Sequence, residues 1–372
     1  MPDEVVQAMV QASKELVDME YLQAKASEVI SEITGAEAGI VTTGAAASLT
    51  LSTASCVTGL DIAKMERLPD TTGMNNEVVI SRNHRNAYDH MIRLVGVKLL
   101  EAGLDESALG VGVRSVEAWE LEAAITEKTA AIAYVAKPAN SPPLEDVIKI
   151  GKTQSIPVIL DAAAELPPVE NLRKFISKGA SSVSFSGGKS IRGPQASGIL
   201  AGERDLVMGA TLQMLDMDTT FELWSPPANL IDKSRLRGIP RHGIGRGFKA
   251  GKEEIVGLIT ALKLFAKTDH KEETIRFEWI CKEIVESLQY VSELSATLLP
   301  VNESRSIPLV EIRFLSLEDS REMIKLDAEL RENSPPIYLD TSRISEKVFQ
   351  VNPFNLKIEH ADLIAKRLNE IV

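Results

Sequence analysis

Three polar residues stand directly after short apolar runs of the kind that form buried strands. Thr43 opens a turn of small residues before an apolar segment, Asp161 follows the run 158–160, and Lys189 follows the run 183–185. Backbone amides at such a turn suit a phosphate, because the first N–H groups of a helix have no partner within it. A buried carboxylate needs a partner, and a lysine flanked by glycines has room to form a Schiff base.

Each feature also has a simple structural explanation when it is taken alone. The turn at residues 42–48 fits a capped helix packed closely on its neighbours, Asp161 fits a cap of the following alanines, and Lys189 fits a solvated loop. Together they are more specific, because their order along the chain is that of fold-type I pyridoxal-phosphate enzymes. In that order the turn anchors a phosphate, the carboxylate holds a pyridinium N–H, and the lysine binds the aldehyde as an imine.

The elements that must position these residues follow a strand–helix rhythm. Apolar β-branched runs predict buried strands, and amphipathic segments between them predict helices, which is typical of an α/β domain with a mostly parallel sheet. Such a sheet binds ligands beyond the carboxyl ends of its strands. The predicted strands are 78–80, 130–135, 158–160, 183–185 and 199–200, and the predicted helices between them are 115–126, 144–154 and 169–177.

The chain is predicted to divide into N-terminal helices at 1–33, a large domain at 34–249 and a small C-terminal α+β domain at 250–372. An irregular stretch at 219–241 carries several prolines and glycines. Beyond it the patterns predict helices at 253–266, 271–288 and 360–371, and strands at 309–314, 337–339 and 348–351.

The sequence resembles the selenocysteine-synthase-like branch of the fold-type I enzymes. This branch includes an ammonia-lyase of a phosphorylated amino sugar acid and the tRNA-dependent selenium transferases. The resemblance covers most of residues 20–260 and loosens in the tail. The segments that carry it are 34–38 with 43–47, 75–79, 84–89, 160–165, 186–195 and 249–254.

The resemblance implies an aspartate aminotransferase-like fold with a mixed, mostly parallel seven-stranded sheet, pyridoxal 5'-phosphate as cofactor, and a homo-oligomer. It implies that Lys189 forms the Schiff base and that Asp161 is the pyridinium partner. His84 would stack on the ring or face the substrate, although a loop or capping histidine is the alternative. The implied phosphate cradle is Thr43, Gly44, Ala45 and Ser186, and the weaker substrate-binding candidates are Arg246, Lys249 and Gln195.

Composition narrows the class of protein. The 372 residues carry a formal net charge of -12, which argues against a general nucleic-acid binder. The two cysteines cannot build a disulfide framework or a structural zinc site, and no apolar run is long enough to span a membrane. We therefore expect a cytoplasmic enzyme with a small-molecule substrate.

Residues 233–252 hold seven of the basic side chains. A solvated basic face is one interpretation, and binding of an anionic substrate is the other. The favoured reaction is a lyase that eliminates a β-substituent and ammonia from a small anionic amino acid, phosphorylated or not, to give a 2-keto acid. The alternatives are β-replacement, as in selenium transfer, and racemisation.

Overall fold

The computed structural model describes residues 1–137, 140–215, 218–303, 305–317 and 319–371. The chain forms two compact units, Met1–Thr268 and Asp269–Val372. The predicted domain limits at residues 33 and 249 stay predictions. None of the described helices is long and apolar enough to cross a membrane.

The first unit is built on a seven-stranded sheet. Its strands are β1 (Ala38–Thr42), β2 (Glu77–Ser81), β3 (Lys98–Ala102), β4 (Thr129–Val135), β5 (Val158–Asp161), β6 (Ser182–Ser186) and β7 (Gly198–Gly202). Their order across the sheet is β1-β7-β6-β5-β4-β2-β3. The strands β6, β5, β4, β2 and β3 run parallel, and β7 is antiparallel to both β1 and β6. The predicted mixed, mostly parallel seven-stranded sheet is confirmed.

Helices cover this sheet. They are α1 (Asp3–Ser13), α2 (Met19–Thr34), α3 (Ala45–Thr58), α4 (Ile62–Arg67), α5 (Asp89–Arg93), α6 (Glu106–Leu109), α7 (Ala118–Ala123), α8 (Leu144–Gln154), α9 (Asn171–Lys178), α10 (Arg204–Met214) and α11 (Lys252–Lys267). Short 3-10 helices span Arg82–His84, Lys233–Arg235 and Ile244–Phe248. Within the unit α11 contacts α1 and α2.

Helix α3 is uncharged and almost wholly buried, and it connects the sheet to α10. Small residues allow this close packing. The hydroxyl of Ser52 lies 2.6 Å from that of Ser182 on β6, and a Cβ atom at Gly209 of α10 would meet the hydroxyl of Ser55 at 2.3 Å. Because α3 is fixed on two sides, its N-terminus has a well-defined position at the end of β1.

The second unit contains α12 (His270–Leu288), β8 (Leu294–Leu299), β9 (Leu309–Phe314), α13 (Ser320–Glu332), β10 (Val348–Val351) and α14 (Glu359–Ile371). Its three strands form an antiparallel sheet in the order β10-β9-β8. Two more 3-10 helices span Ile344–Glu346 and Pro353–Asn355. Apolar side chains from the helices and strands make a separate core.

Two predicted elements differ in the structure. The helix predicted at 115–126 is only α7, because Glu117 starts the helix through a capping box with Glu120. The strand predicted at 337–339 is absent, since the Ile337 N–H donates to the Leu330 carbonyl and only Asp340 forms a bridge, to Gln350. Strands β1, β3 and β8 were not predicted, because their short or partly polar segments lack a strong strand pattern.

Candidate functional site

The turn between β1 and α3 (residues 42–45, the phosphate turn) exposes backbone donors. The first intrahelical bond of α3 runs from Ser48 N–H to Gly44 O at 3.0 Å, so the amides of residues 45–47 have no partner within the helix. Gly44 has a φ of +142°, which favours glycine. The Thr43 N–H instead donates to the Phe248 carbonyl at 3.2 Å, so Thr43 can offer a ligand only its hydroxyl.

Ser186 and the phosphate turn lie on either side of the start of β7. Gly198 at the start of β7 pairs with Thr42 on one side and with Ser186 on the other. The structure therefore brings together Thr43, Gly44, Ala45 and Ser186, the four residues predicted as the phosphate cradle. Of the weaker candidates, Lys249 also lies here, because its backbone bridges to Thr42. Arg246 belongs to the preceding 3-10 helix.

Asp161 is the last residue of the central strand β5, at the carboxyl end of the parallel strands. Its carboxylate accepts a hydrogen bond from the Ala163 N–H at 3.0 Å, and burial raises the pKa of the Asp161 carboxyl. The nearby Lys189 ammonium acts in the opposite direction and lowers that pKa. A partly buried carboxylate that retains acceptor capacity favours a cationic or N–H ligand. Asp161 also lines a small, partly open pocket with Tyr134 and Asn86.

Lys189 lies in a closed loop (residues 187–197, the lysine loop) that joins β6 to β7. The Gly187 N–H donates to Ser197 O and the Gly193 N–H donates to Gly187 O, each at 2.9 Å. A Cβ atom at Gly188 would lie 2.7 Å from the Cα of Gln195, so the loop folds tightly on itself. The Lys189 side chain is exposed, and among the described residues it has no hydrogen bond or ion pair. Gln195, whose Cα lies against Gly188, is also exposed.

His84 follows β2 and is fully buried. Its ring meets that of Tyr134 edge to face, with centroids 4.5 Å apart and an interplanar angle of 82°. Within the described part of the chain neither ring nitrogen has a hydrogen-bond partner. Burial, and secondarily the charge of Lys137, lowers the pKa of His84 to about 4. A buried imidazole whose nitrogens have no partner among these residues is able to hydrogen-bond a ligand at this end of the sheet.

Three residues at this edge were not predicted as site residues: Tyr134, Lys137 and Glu165. Tyr134 donates its hydroxyl to the Pro142 carbonyl at 3.1 Å and lines the pocket. Lys137 and Glu165 follow β4 and β5, and burial raises the pKa of the Glu165 carboxyl. No local motif marks these positions, and only the order of strands in the sheet places them beside His84 and Asp161.

Comparison with known proteins agrees with this geometry. A family model described as the DegT/DnrJ/EryC1/StrS aminotransferase family matches residues 32–202. The solved structure of D-glucosaminate-6-phosphate ammonia-lyase superposes with a TM-score of 0.79 and 28% identity, covering 100% of this chain and 91% of that one. The chain has the fold of the fold-type I pyridoxal-phosphate enzymes.

Curated relatives span the whole chain. The D-glucosaminate-6-phosphate ammonia lyase of Salmonella typhimurium is 29% identical over 99% of this chain and 90% of its own length. The 5'-C-glycyluridine monooxygenase-decarboxylase of a Streptomyces species is 28% identical over 100% of this chain and 86% of its own. An L-seryl-tRNA(Sec) selenium transferase of Alkaliphilus oremlandii is 24% identical over 93% and 70%, respectively. The predicted resemblance and the pyridoxal phosphate cofactor are confirmed.

The residues of this fold-type I chain fit that cofactor. The free amides of residues 45–47 suit its phosphate, the partly buried carboxylate of Asp161 suits a protonated ring nitrogen, and the unpartnered ring nitrogens of His84 suit a hydrogen-bonding ligand group. The exposed amine of Lys189, in the loop that follows the strand next to that of Asp161, suits its aldehyde. These assignments of individual residues are taken up as proposals below.

Proposed function

We propose that this chain is a lyase that removes a β-substituent and ammonia from a small anionic amino acid or amino sugar acid, with or without a phosphate, and releases a 2-keto acid. The observation that carries the proposal is the common position of Lys189 and Asp161. Asp161 is the last residue of β5, where it pairs with Ser184 of the adjacent parallel strand β6, and Lys189 lies in the loop after β6. The charge of Lys189 acts on the Asp161 carboxylate. Full-length similarity to an ammonia-lyase supports the reaction class.

The proposed roles follow from the contacts described above. Asp161 holds the ring N–H of pyridoxal phosphate, the phosphate turn with Ser186 holds its phosphate, His84 covers a ring face, and Lys189 carries it covalently. When bound, the cofactor withdraws electrons from the Cα of the substrate. Asp161 sustains that withdrawal because a carboxylate buried at the end of β5 stabilises a positive ring nitrogen.

Lys189 is the proposed base of the elimination. Once the substrate amine is bound, the free Nζ would take the proton from Cα, and the C–H electron pair would form the Cα–Cβ double bond. The same Nζ would then give that proton to the departing β-hydroxyl, which leaves as water. The tight lysine loop supports this role because it fixes the backbone of Lys189 while leaving the side chain accessible. The resulting enamine takes up water and yields ammonia and the 2-keto acid.

Two measurements test the proposal. Pyridoxal phosphate should give a visible absorbance band in the wild-type protein, and borohydride should fix the cofactor on the peptide that contains Lys189. Lys189→Ala should lack this covalent product. Lys98→Ala, a lysine at the opposite edge of the same sheet, is the matched control. Absence of labelling at Lys189 would remove the central assignment.

The reaction is then tested with D-glucosaminate 6-phosphate and with hydroxy-amino acids. Stoichiometric ammonia and 2-keto acid are the expected products. Incorporation of selenide or sulfide at Cβ would indicate the replacement reaction of the selenium transferases, and exchange of the Cα proton with inversion alone would indicate a racemase. Oxygen uptake with release of carbon dioxide would match the name of the Streptomyces relative instead.

We further propose a cytoplasmic homo-oligomer. The N-terminal segment supports this, because it presents apolar side chains to the surface of the isolated chain: Val6, Val10, Leu16, Val17, Met19 and Tyr21. Exposed apolar groups in one segment are typical of a surface that another chain covers. Light scattering coupled to size exclusion should give a mass of two or more chains, whereas a monomer would contradict the proposal.

A further inference from the structure

Lys137 lies at the carboxyl ends of the central strands, where the proposed site also lies. It follows β4 by two residues, and β4 lies between β5 and β2. Val135 pairs with Asp161, and the Ala136 N–H donates to the Asp161 carbonyl at 2.8 Å. The backbone therefore reaches Lys137 directly beside the carboxylate proposed to bind the ring.

The charge of Lys137 affects the pKa of residues that follow both neighbouring strands, β2 and β5. On the β2 side it is one of the two causes that lower the pKa of His84. On the β5 side it is one of the charges that lower the pKa of Glu165, against the larger effect of burial. Its ammonium group is thus close to residues that follow two different strands, as expected for a group that faces the space between them.

The Lys137 ammonium has no structural role among the described residues. Lys137 is exposed, and within the described ranges it has no ion pair or hydrogen bond. Other lysines of this unit are used in the fold: Lys178 pairs with Glu145, and Lys252 donates to the carbonyls of Ser13 and Glu15. The unpartnered, buried nitrogens of His84 at the same edge are an independent sign that a ligand completes this place.

We propose that Lys137 is a specificity-determining residue that binds an anionic oxygen of the substrate. This inference rests on the proposed function and names the group that selects its anionic substrate. Lys137 follows the residues that pair with Asp161, and its charge acts on both His84 and Glu165, so the positive charge lies at the proposed cofactor site. Two groups of a substrate could supply the oxygen, the α-carboxylate or a distal phosphate.

The test compares three variants of the holoenzyme. Lys137→Met removes the charge, Lys137→Arg retains it, and Lys98→Met is the same change at the amino end of β3, on the opposite edge of the sheet. Binding of D-glucosaminate 6-phosphate and of D-glucosaminate is followed by the change in visible absorbance of the bound cofactor. Affinity for pyridoxal phosphate is titrated separately with each apoenzyme.

Lys137→Met should weaken binding of the phosphorylated ligand about tenfold to a hundredfold, as expected for loss of a charge-assisted hydrogen bond. Lys137→Arg should retain most of the affinity, Lys98→Met should match the wild type, and all should bind pyridoxal phosphate equally. A loss for the phosphorylated ligand alone would assign Lys137 to the phosphate, whereas an equal loss for both ligands would assign it to the carboxylate.

Three results would overturn the inference: wild-type affinity in Lys137→Met, a loss that lies only in pyridoxal phosphate affinity, or a wild-type holoenzyme that binds neither ligand. Borohydride labelling of Lys189 in the same samples separates this failure from that of the proposed function. Labelling at Lys189 with unchanged ligand binding would reject only the role of Lys137. Absence of labelling would reject the proposed function itself.

Discussion

A Cβ atom on Gly198 would lie 2.3 Å from the carbonyl carbon of Gly44 and 2.5 Å from the amide nitrogen of Ala45. The start of β7 therefore packs directly against the phosphate turn. Gly198 also pairs with Thr42 on β1 and with Ser186 on β6, so it lies between the two parts of the proposed cradle. The glycine is required because backbone atoms, unlike a side chain, cannot move aside cheaply.

We expect Gly198→Ala to displace the phosphate turn and to weaken binding of pyridoxal phosphate. Overpacking of this kind costs about 1–3 kcal/mol, which corresponds to roughly a tenfold or larger loss of cofactor affinity. Absorbance titration of the apoenzyme measures it. Gly238→Ala is the control, because a Cβ atom there would meet nothing within 4 Å. Equal cofactor affinity in both variants would show that the turn does not hold the phosphate.

Replacing Asp161 should separate stability from function. Burial raises the pKa of the Asp161 carboxyl, because partial removal from water makes its charged form less stable in the folded apoenzyme than in the unfolded chain. Asp161→Asn should therefore leave the free energy of unfolding of the apoenzyme unchanged or higher at neutral pH, while turnover falls by about a hundredfold or more, since the ring nitrogen loses its countercharge.

The matched control for that variant is Asp205→Asn. A hydrogen bond from Arg235 lowers the pKa of the exposed Asp205 carboxyl, so this change should slightly reduce the free energy of unfolding and leave turnover intact. Urea unfolding and steady-state kinetics of both variants check the pair. If Asp161→Asn turned over substrate at the wild-type rate, Asp161 would not be the partner of the ring nitrogen.

His84 should make the apoenzyme sensitive to acid. Its pKa is lowered to about 4 in the folded chain from 6.5, so between these values the unfolded chain binds more protons. The stability contributed by neutral His84 is present above pH 6.5 and is lost as the pH falls towards 4. A shift of this size corresponds to on the order of 3 kcal/mol.

His84→Phe retains an aromatic ring against Tyr134 and has no group to protonate. Its free energy of unfolding should therefore fall less than that of the wild type between about pH 7 and pH 4.5, measured by urea unfolding. The partly buried carboxyls of Asp161 and Glu165 have raised pKa values, so they favour the folded state as the pH falls. Their contribution is the same in both proteins and cancels in the difference between the two pH profiles. Parallel pH profiles would exclude a buried neutral histidine.

Much of the site was predictable because its chemistry lies in short segments. Asp161 and Lys189 each follow an apolar run and have characteristic neighbours, so their place at strand ends could be inferred from sequence. Lys137 and Glu165 could not be found in this way, because only the strand order β6-β5-β4-β2 brings them to the same edge. The hydrogen bond from the Thr43 N–H to the Phe248 carbonyl could not be predicted either, because it joins residues far apart in the chain.

The basic stretch 233–252 divides into two kinds of residue in the structure. Lys233 donates to the Trp224 carbonyl and lies over the ring of Phe221, and Arg235 makes two hydrogen bonds to Asp205. These side chains stabilise the irregular segment before the 3-10 helix Ile244–Phe248. Arg246 and Lys249 instead belong to the part of the chain that approaches the phosphate turn, where the backbone of Lys249 forms a bridge with Thr42.

We therefore expect substrate and cofactor affinity to depend on the end of this stretch and not on its beginning. Lys249→Gln and Arg246→Gln should each weaken binding of pyridoxal phosphate or of D-glucosaminate 6-phosphate by about tenfold, because each change removes a charge from the segment whose end contacts the phosphate turn. Arg235→Gln should leave both affinities unchanged and cost at most about 1 kcal/mol of stability, since its ion pair is exposed.

Titration of the three variants, with urea unfolding beside it, decides between anion binding and a solvated basic face. Unchanged affinities in Lys249→Gln and Arg246→Gln would support the solvated face.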